Sequence, residues 1–513
     1  MVCAMFDAAF LKGETWGFPG APVEHVETHA AYVFLVNNRA FKVKKAVKLP
    51  YLDFSTPEKR KAVLEDELAI NRVYAPELYL NVTEVRGEPV LVMRRFAAQA
   101  LLSWRVAHHT LDDEIARELA ETAAAAHGLA PRRDTPPGAD IMLGLGAQIS
   151  QAYTNAADIF PAADTLEFHA LYEEALHRFR TLLNRRGLEG LVRRCHGDMH
   201  CGNIIVEDGK PVLFDAIEFS EKIATIDVLY DLAFLLMDLW RHGERRAANI
   251  VLNRYLHLRR SEENLSGLAL LPLFLSTRAG VRALVTADLM HELTVSRSLK
   301  LRGDALDYFR ASIAYLKPSR PRLICIGGFS GTGKSTLAAR LAPDIGAVPG
   351  ALHLRSDLER KHQAGIGEFE RLPNESYTPA AAAAVYHVLL ERAEAALKAG
   401  HAVILDAVFA SDAERRMAAA LALRLGVRFD GLWLKADPAV LKARVAARRN
   451  DASDATPDIV DRQLGYDLGT LNWLRVDASG GAAETLNSVR RLVLSSSAAA
   501  QRREPPKPPG SGG

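Results

Sequence analysis

Cysteine is scarce in this chain: four in 513 residues. So few cannot staple a protein of this length, which excludes a disulfide framework and leads us to expect a reducing, cytoplasmic setting. An excess of one charge sign is missing too. Lys and Arg total 64 against 62 Asp and Glu, a net charge of +2, so no bulk field points to nucleic acid as a partner. The opening residues MVCAMFDAAFLKG lack a basic start and carry Asp7 in a short apolar stretch, which makes a poor export signal. Long apolar runs are also wanting. The most apolar one, Leu265–Ser276, is closed off by Arg278 and is too short for a bilayer, so no membrane association is expected. What remains is 49% hydrophobic and 25% charged, ordinary for globular protein. The length exceeds one core and suggests roughly three compact units.

Against that plain background one stretch stands out, Leu323–Thr336, LICIGGFSGTGKST. An apolar run ends in Gly327 and Gly328. The loop Phe329, Ser330, Gly331, Thr332, Gly333 follows, then Lys334, Ser335 and the helix-forming Thr336–Leu341. Strand, glycine loop and helix in this order form a phosphate cradle. The glycines let backbone N–H groups turn inward, and the helix start adds unpaired donors and partial positive charge. Lys334 is placed to reach the β- and γ-phosphates of ATP, and the Ser335 hydroxyl to ligate Mg²⁺. The alternative is a glycine loop that merely connects two elements.

Upstream, residues 31–47 form two expected strands around the turn-prone pair Asn37-Asn38. Ala40-Phe41-Lys42 has the spacing of a strand lysine that holds ATP phosphates, with Lys44 and Lys45 as neighbours and a solvated basic edge as the alternative. A helical pattern follows over Pro57–Tyr74. Glu67 within it is a candidate to orient Lys42, with Glu65 and Asp66 as competitors. Leu78–Val85 and Pro89–Met93 read as strands around Arg86-Gly87, and residues 103–186 as mostly helix with a proline-rich loop at Pro131–Gly138.

The informative segment here is Arg194–Glu218, RCHGDMHCGNIIVEDGKPVLFDAIE. Asp198 is followed five residues later by Asn203. An Asp208-Gly209 pair between apolar runs then signals a hairpin that returns Asp215 beside Asn203. Three oxygen-bearing side chains converge, the set that phosphoryl transfer needs: Asp198 as the base, Asn203 and Asp215 as Mg²⁺ ligands. Cys195, His196, His200 and Cys201 could instead suggest zinc, but their spacing is untidy for it. His196 is expected to be a packed loop histidine. In the apolar helix 228–240, Asp231 is expected to be buried against the catalytic-loop backbone and Asp227 to cap the helix start. Arg278 and Arg282 could face an anionic substrate, with an ordinary helix surface the preferred reading.

The H-G-D-x-x-x-x-N stretch with its hairpin and Asp215 resembles the aminoglycoside phosphotransferase and choline kinase-like group of the protein-kinase-like fold, over roughly residues 25–315. The resemblance implies a small-molecule hydroxyl as acceptor. One departure is that no G-x-G-x-x-G precedes Lys42; His29-Ala30-Ala31-Tyr32 occupies that loop.

Lys317-Pro318-Ser319-Arg320-Pro321 marks a domain boundary. Beyond the glycine loop, a short strand over Ala351–Leu354 ends in Arg355-Ser356-Asp357. Asp357 there is placed to face an acceptor hydroxyl, to cap the following helix, or both. A strand at His401–Leu405 ends in Asp406, a carboxylate suited to touch Mg²⁺ through water. After a strand at Phe429–Lys435, Asp437-Pro438 opens a helix on which Arg444 and Arg448 share a face as a candidate lid over the phosphates, or else a solvated basic face. This half resembles small P-loop kinases of the gluconate-kinase and zeta-toxin-like type over roughly residues 321–495. The pairing resembles bacterial two-domain proteins with an aminoglycoside-phosphotransferase-like first half and a P-loop kinase-like ATPase second half.

The fold expected is therefore an α+β protein-kinase-like two-lobed domain over 1–318, with lobes at about 25–95 and 96–317. An α/β P-loop domain with a mainly parallel sheet follows over 319–495, then a disordered tail over 496–513. The activity expected is ATP- and Mg²⁺-dependent transfer to small polar alcohols at two sites, with Asp198, Asp357 and Lys334 catalytic and Arg355 and Asp357 near the acceptor. The alternatives are a zeta-toxin-like kinase acting on a nucleotide sugar, or one half serving as an ATP-sensing module for the other.

Overall fold

Asn37 adopts a left-handed backbone, φ 49°, and turns the chain between two strands, as an asparagine tolerates better than most residues. The computed structural model describes residues 7–500 apart from His29, Pro50, Tyr51, 134–137, 293–294, 374–375, Tyr377 and Asn450. The chain falls into two compact units: Met1–Arg260 with Leu270–Lys317, and Ser261–Ala269 with Pro318–Gly513. From the sequence alone, the first unit is expected to run unbroken to residue 318. The nine-residue excursion differs from that, because its contacts lie with the later residues.

In the first unit, β1 (Glu24–Glu27), β2 (Ala31–Val36), β3 (Arg39–Lys44), β4 (Tyr79–Val85) and β5 (Glu88–Arg94) form one antiparallel sheet in the order β1-β2-β3-β5-β4. Arg86 and Gly87, φ 56° and 81°, make the tight turn between β4 and β5. One side of the sheet buries Phe10, Trp16, Phe34 and Phe41, with Trp16 stacked on Phe41 at 4.5 Å between ring centroids. Against the sheet lies α1 (Pro57–Tyr74), capped by the Thr56 hydroxyl on the Lys59 N–H and begun by Pro57. Its Leu64 packs with Leu91 and Ile205.

The rest of this unit is mainly helical. Its relevant pieces are α2 (Asp113–Leu129), the hairpin β6 (Ile204–Glu207) and β7 (Lys210–Leu213), α3 (Val228–Arg241) and α4 (Leu271–Asp288). Every residue of α3 from Val228 to Leu239 is buried, so this helix is the unit's central pillar. Asp227 caps it through the Leu229 N–H at 2.8 Å and pairs with buried Arg186 at 2.6 and 2.8 Å. Contrary to the expectation from its apolar run, Glu262–Asp288 is long and apolar enough to cross a membrane by length and composition. Yet 67% of that window is buried inside the protein, as in a core helix.

The second unit is a sheet of five parallel strands: β8 (Arg322–Gly328), β9 (Leu352–Arg355), β10 (Val403–Asp406), β11 (Arg428–Lys435) and β12 (Leu474–Asp477), in the order β9-β10-β8-β11-β12. Among its helices are α5 (Lys334–Leu341), α6 (Ser356–Gln363), α7 (Pro379–Lys398), α8 (Pro438–Ala446), α9 (Pro457–Leu464) and α10 (Ala482–Ala500). Ile324, Ile326, Leu337, Leu341, Ile404 and Leu432 form the core between the sheet and α5. The strand order places the C-terminal ends of β8, β9 and β10 side by side, where a ligand is held in such sheets. Helix α10 runs to Ala500, so residues 496–500 of the expected disordered tail are helical; residues 501–513 lie outside the described residues.

Candidate functional site

Lys42 sits on β3 between Val33 of β2 and Leu91 of β5. Its Nζ lies 2.6 Å from Glu67 Oε1 and 2.6 Å from Asp215 Oδ1. Burial opposes its charge, but the two carboxylates prevail and raise its pKa well above the lysine range. Glu67 on α1 is fully buried. Neither Glu65 nor Asp66 takes its place; both are exposed. Lys44, two residues on and on the same face, pairs with Glu67 Oε2 at 2.7 Å and Glu218 Oε1 at 2.6 Å. Glu218 has no signal in the sequence beyond its place three residues after Asp215.

The catalytic-loop residues reach the same cleft through the hairpin. Asp208 and Gly209, φ 49° and 78°, close the turn, and Ile204 pairs with Leu213. The Phe214 N–H then donates to Asn203 O at 3.0 Å, which sets Asp215 beside Asn203. Asn203 Nδ2 donates to Asp198 Oδ2 at 2.8 Å and to Asp198 O at 3.0 Å. Asn203 Oδ1 and Asp215 Oδ2 take no hydrogen bond among the described residues. Asp215 itself has φ 59° and gives its N–H to the Tyr79 hydroxyl at 3.0 Å. A non-glycine residue held there marks a position its surroundings dictate. Burial would raise the Asp198 carboxyl, but His200, 3.5 Å away, and His196 and Arg278 hold it well below the ordinary range. Lys42 does the same for Asp215. Both are carboxylates at neutral pH.

Behind the loop, fully buried Asp231 accepts the N–H groups of His196 and Gly197 at 3.2 and 3.0 Å and faces His127 Nε2 at 3.2 Å. The preferred surface reading of Arg278 is overturned. It is 5% exposed, stacks 3.9 Å from the Tyr230 ring centre, and donates to Gly197 O at 3.0 Å and Tyr230 O at 3.1 Å. The apolar positions around it, which hide it in α4, belong to distant helices and leave no local trace. Arg282, one turn on, is half-buried beside Tyr308. The zinc alternative fails because its four residues have separate partners: Cys195 Sγ with Ile226 O, His196 Nε2 with Phe214 O, His200 Nδ1 with the Gly202 N–H, and Cys201 against Asp238.

In the second unit, Gly328, Gly331 and Gly333 have φ 140°, 87° and 86°. A Cβ at Gly331 would lie 2.5 Å from Leu441 O, and one at Gly328 would lie 2.6 Å from Leu434 O, so side chains are shut out. Helix α5 begins at Lys334, two residues earlier than Thr336, which places Lys334, Ser335 and Thr336 in its first turn. Lys334 Nζ rests on Phe329 O at 3.1 Å, as does the Thr332 hydroxyl at 2.8 Å. Burial lowers the lysine's pKa. The Ser330 N–H donates to Gln463 Oε1 of α9 at 2.7 Å, a partner the sequence did not signal.

Asp406 ends β10 as expected and is buried, with His353 Nε2 at 3.2 Å and Arg355 Nε at 3.8 Å. Burial raises its carboxyl, but His353 and the nearby cations bring it down to about 2. Asp357 is pushed the other way by burial, with Asp406 adding to the rise against Arg355 and Lys334. It stands in the first turn of α6. The cap position belongs to Arg355 and has no side-chain cap bond, so the capping reading of Asp357 is corrected. Arg355 Nη2 donates to Asp451 Oδ1 at 3.2 Å. The two lid arginines do not share a helical face, because α8 ends at Ala446. Arg444 donates to Ala478 O and Gly480 O, each at 2.7 Å, after β12, whereas Arg448 lies past the helix end and acts on Lys334.

The donor sets fit a hard divalent cation: carboxylate and carboxamide oxygens at Asp215 and Asn203, hydroxyl and carboxylate at Ser335 and Asp406. Residues 50–270 match the phosphotransferase enzyme family and residues 323–466 match an AAA domain. An uncharacterized protein of Mycobacterium tuberculosis is 29% identical over 474 residues, spanning 88% of this chain and 92% of that one. Among solved structures, a choline/ethanolamine kinase family protein from Mesorhizobium loti is 16% identical over 58% of this chain and 92% of its own, TM-score 0.37. A gluconokinase from Sinorhizobium meliloti is 20% identical over 36% of this chain and 98% of its own, TM-score 0.26. The two family matches, phosphotransferase enzymes over residues 50–270 and an AAA domain over residues 323–466, make the chain an enzyme of the kinase and phosphotransferase type.

Proposed function

We propose that each unit transfers the γ-phosphoryl group of ATP to a hydroxyl of a small polar molecule, and that the two sites work independently. The observation that carries this reading is the meeting of Lys42, Asp198, Asn203 and Asp215 in one cleft of the first unit. Lys42, held by Glu67, is a fixed cation for the phosphates. Asp198, kept ionised, orients the acceptor hydroxyl and takes its proton as the O–P bond forms. Asn203 and Asp215 would hold Mg²⁺, which when bound neutralises charge on the transferring phosphoryl group. In the second unit the glycine loop and Lys334 serve the phosphates, Ser335 and Asp406 would hold Mg²⁺, and Asp357 faces the acceptor. Burial raises the pKa of Asp357, which makes its carboxylate a stronger base than an exposed aspartate.

The test is ATP-dependent phosphorylation across a library of sugars, amino alcohols and aminoglycosides, with Asp198→Ala and Lys334→Ala variants of the full chain. Two acceptors, each lost with one variant, support the reading. ATP binding without transfer in the first unit would make that unit a sensor for the other.

A further inference from the structure

A cavity of about 540 Å³ opens on the first unit away from Lys42, between α1 and α2. Its body is apolar: Ile70 and Val73 from α1, Ala126 and Leu129 from α2, with Val73 and Leu129 largely exposed at the rim. That is the size and lining of a small-molecule pocket rather than a packing flaw. Its polar groups are few and convergent. Tyr74, half-buried in the wall, has no hydrogen bond to its hydroxyl among the described residues. At the mouth two guanidiniums meet one carboxylate. Arg194 spends its donors on Glu221 at 3.0 Å, Cys195 O at 2.6 Å and Ile217 O. Arg133 gives Nε to Glu221 at 2.6 Å and keeps Nη2 free of any acceptor among the described residues. One positive charge is left over, with donors turned to solvent.

One wall of the cavity, α1, is also part of the catalytic cleft at two points. Helix α1 carries Glu67, one turn before Ile70, and Glu67 fixes Lys42. Tyr74 packs 5.4 Å, centroid to centroid, from His196, whose Nδ1 accepts the Asp198 N–H. A molecule seated here presses on both.

We propose that this cavity binds a small amphipathic anion, apolar body inward and acidic group on Arg133, and that its occupancy alters nucleotide affinity in the same unit. The coupling rests on the reading of Lys42 as a nucleotide ligand; the binding does not.

Anilinonaphthalene sulfonate, an apolar body bearing one sulfonate, is the probe, titrated into the full chain by fluorescence, with neutral phenylnaphthylamine as its uncharged counterpart. One saturable site is expected, about tenfold weaker after Arg133→Ser and lost after Ala126→Trp, which fills the cavity. Val73→Glu, at an exposed rim position, sets a negative charge against the anion and gives a second block. Unchanged binding in both blocked variants, or equal affinity for the neutral probe, overturns the site. In a Lys334→Ala background, saturating MgATP should shift the probe's Kd at least about twofold, and the probe should shift that of ATP by the same factor. ATP binding shown by calorimetry with no such shift overturns the coupling, whereas no ATP binding at all indicts the nucleotide reading instead.

Discussion

Lys42 Nζ touches Glu67 Oε1 and Asp215 Oδ1 at the same distance, 2.6 Å, so one ammonium ties the sheet, α1 and the hairpin strand end together. Lys44 makes a parallel bridge from Glu67 to Glu218. Five buried or half-buried charges, Asp215, Lys42, Glu67, Lys44 and Glu218, thus alternate in sign, and removing either lysine leaves the carboxylate at that end without its cation.

The two lysines should separate by readout. Lys42→Met should abolish ATP turnover by the first unit, by about a hundredfold or more, measured in a Lys334→Ala background. Lys44 contacts Glu67 and Glu218 but not Asp215, so Lys44→Met should instead cost about 3 kcal/mol of stability in urea titration and spare most of the turnover of the folded protein. The reverse pattern would assign the phosphate contact to Lys44.

Asp198→Asn keeps the shape of the side chain but removes the charge that His200 stabilises. Turnover at the first site should fall about a hundred- to ten-thousandfold, with ATP affinity by calorimetry nearly unchanged, because Asp198 contacts Asn203 and His200 rather than Lys42. A matching loss of ATP affinity would mean that Asp198 serves the nucleotide instead of the acceptor.

How much of this was legible follows the range of the forces involved. The glycine loop, the Asp208-Gly209 hairpin and the α1 boundaries are set by backbone conformation within a few residues, so local chemistry announced them. Asp198, Asn203 and Asp215 were legible because the hairpin itself delivers them. Lys42 with Glu67 needed a strand and a helix 25 residues apart, and only spacing suggested it. Gln463 at Ser330, 133 residues away, could not be seen, because nothing near either residue encodes the meeting. The separation of Arg444 from Arg448 depended on α8 stopping at Ala446 with no proline or glycine there to signal it.

Arg278 shows the cost of such a blind spot and gives its own test. Its guanidinium lies over Tyr230 and Phe234, at 3.9 and 4.6 Å, and braces the Gly197 carbonyl next to Asp198. Arg278→Lys keeps a charge but loses the planar stack and the fork of donors. We expect a loss of about 2–3 kcal/mol of stability in urea titration, from an unmet buried acceptor and a weakened cation–π contact. An exposed arginine would show almost none. Turnover at the first site should fall as well, since the Gly197 carbonyl sits one residue before the base.

The second unit carries a pH test independent of catalysis. His401 follows the Gly400 turn that ends α7, is buried, and is paired with Gly350 O at 2.8 Å. Burial lowers its pKa from 6.5 to about 4, against the smaller pull of that carbonyl. The folded state therefore holds the neutral ring, while the unfolded chain takes up a proton near its ordinary value. Between the two pKa values the unfolded state binds more protons, so stability rises with pH and drains away as pH falls through this window. The full swing is about 3 kcal/mol, and once the folded form also protonates no more is lost to this residue. Urea titrations of the wild type and of His401→Gln, which keeps a donor but cannot titrate, should diverge on acidification, with the wild type losing the larger share. Parallel pH profiles would show that the buried ring admits a proton as easily as the unfolded chain does.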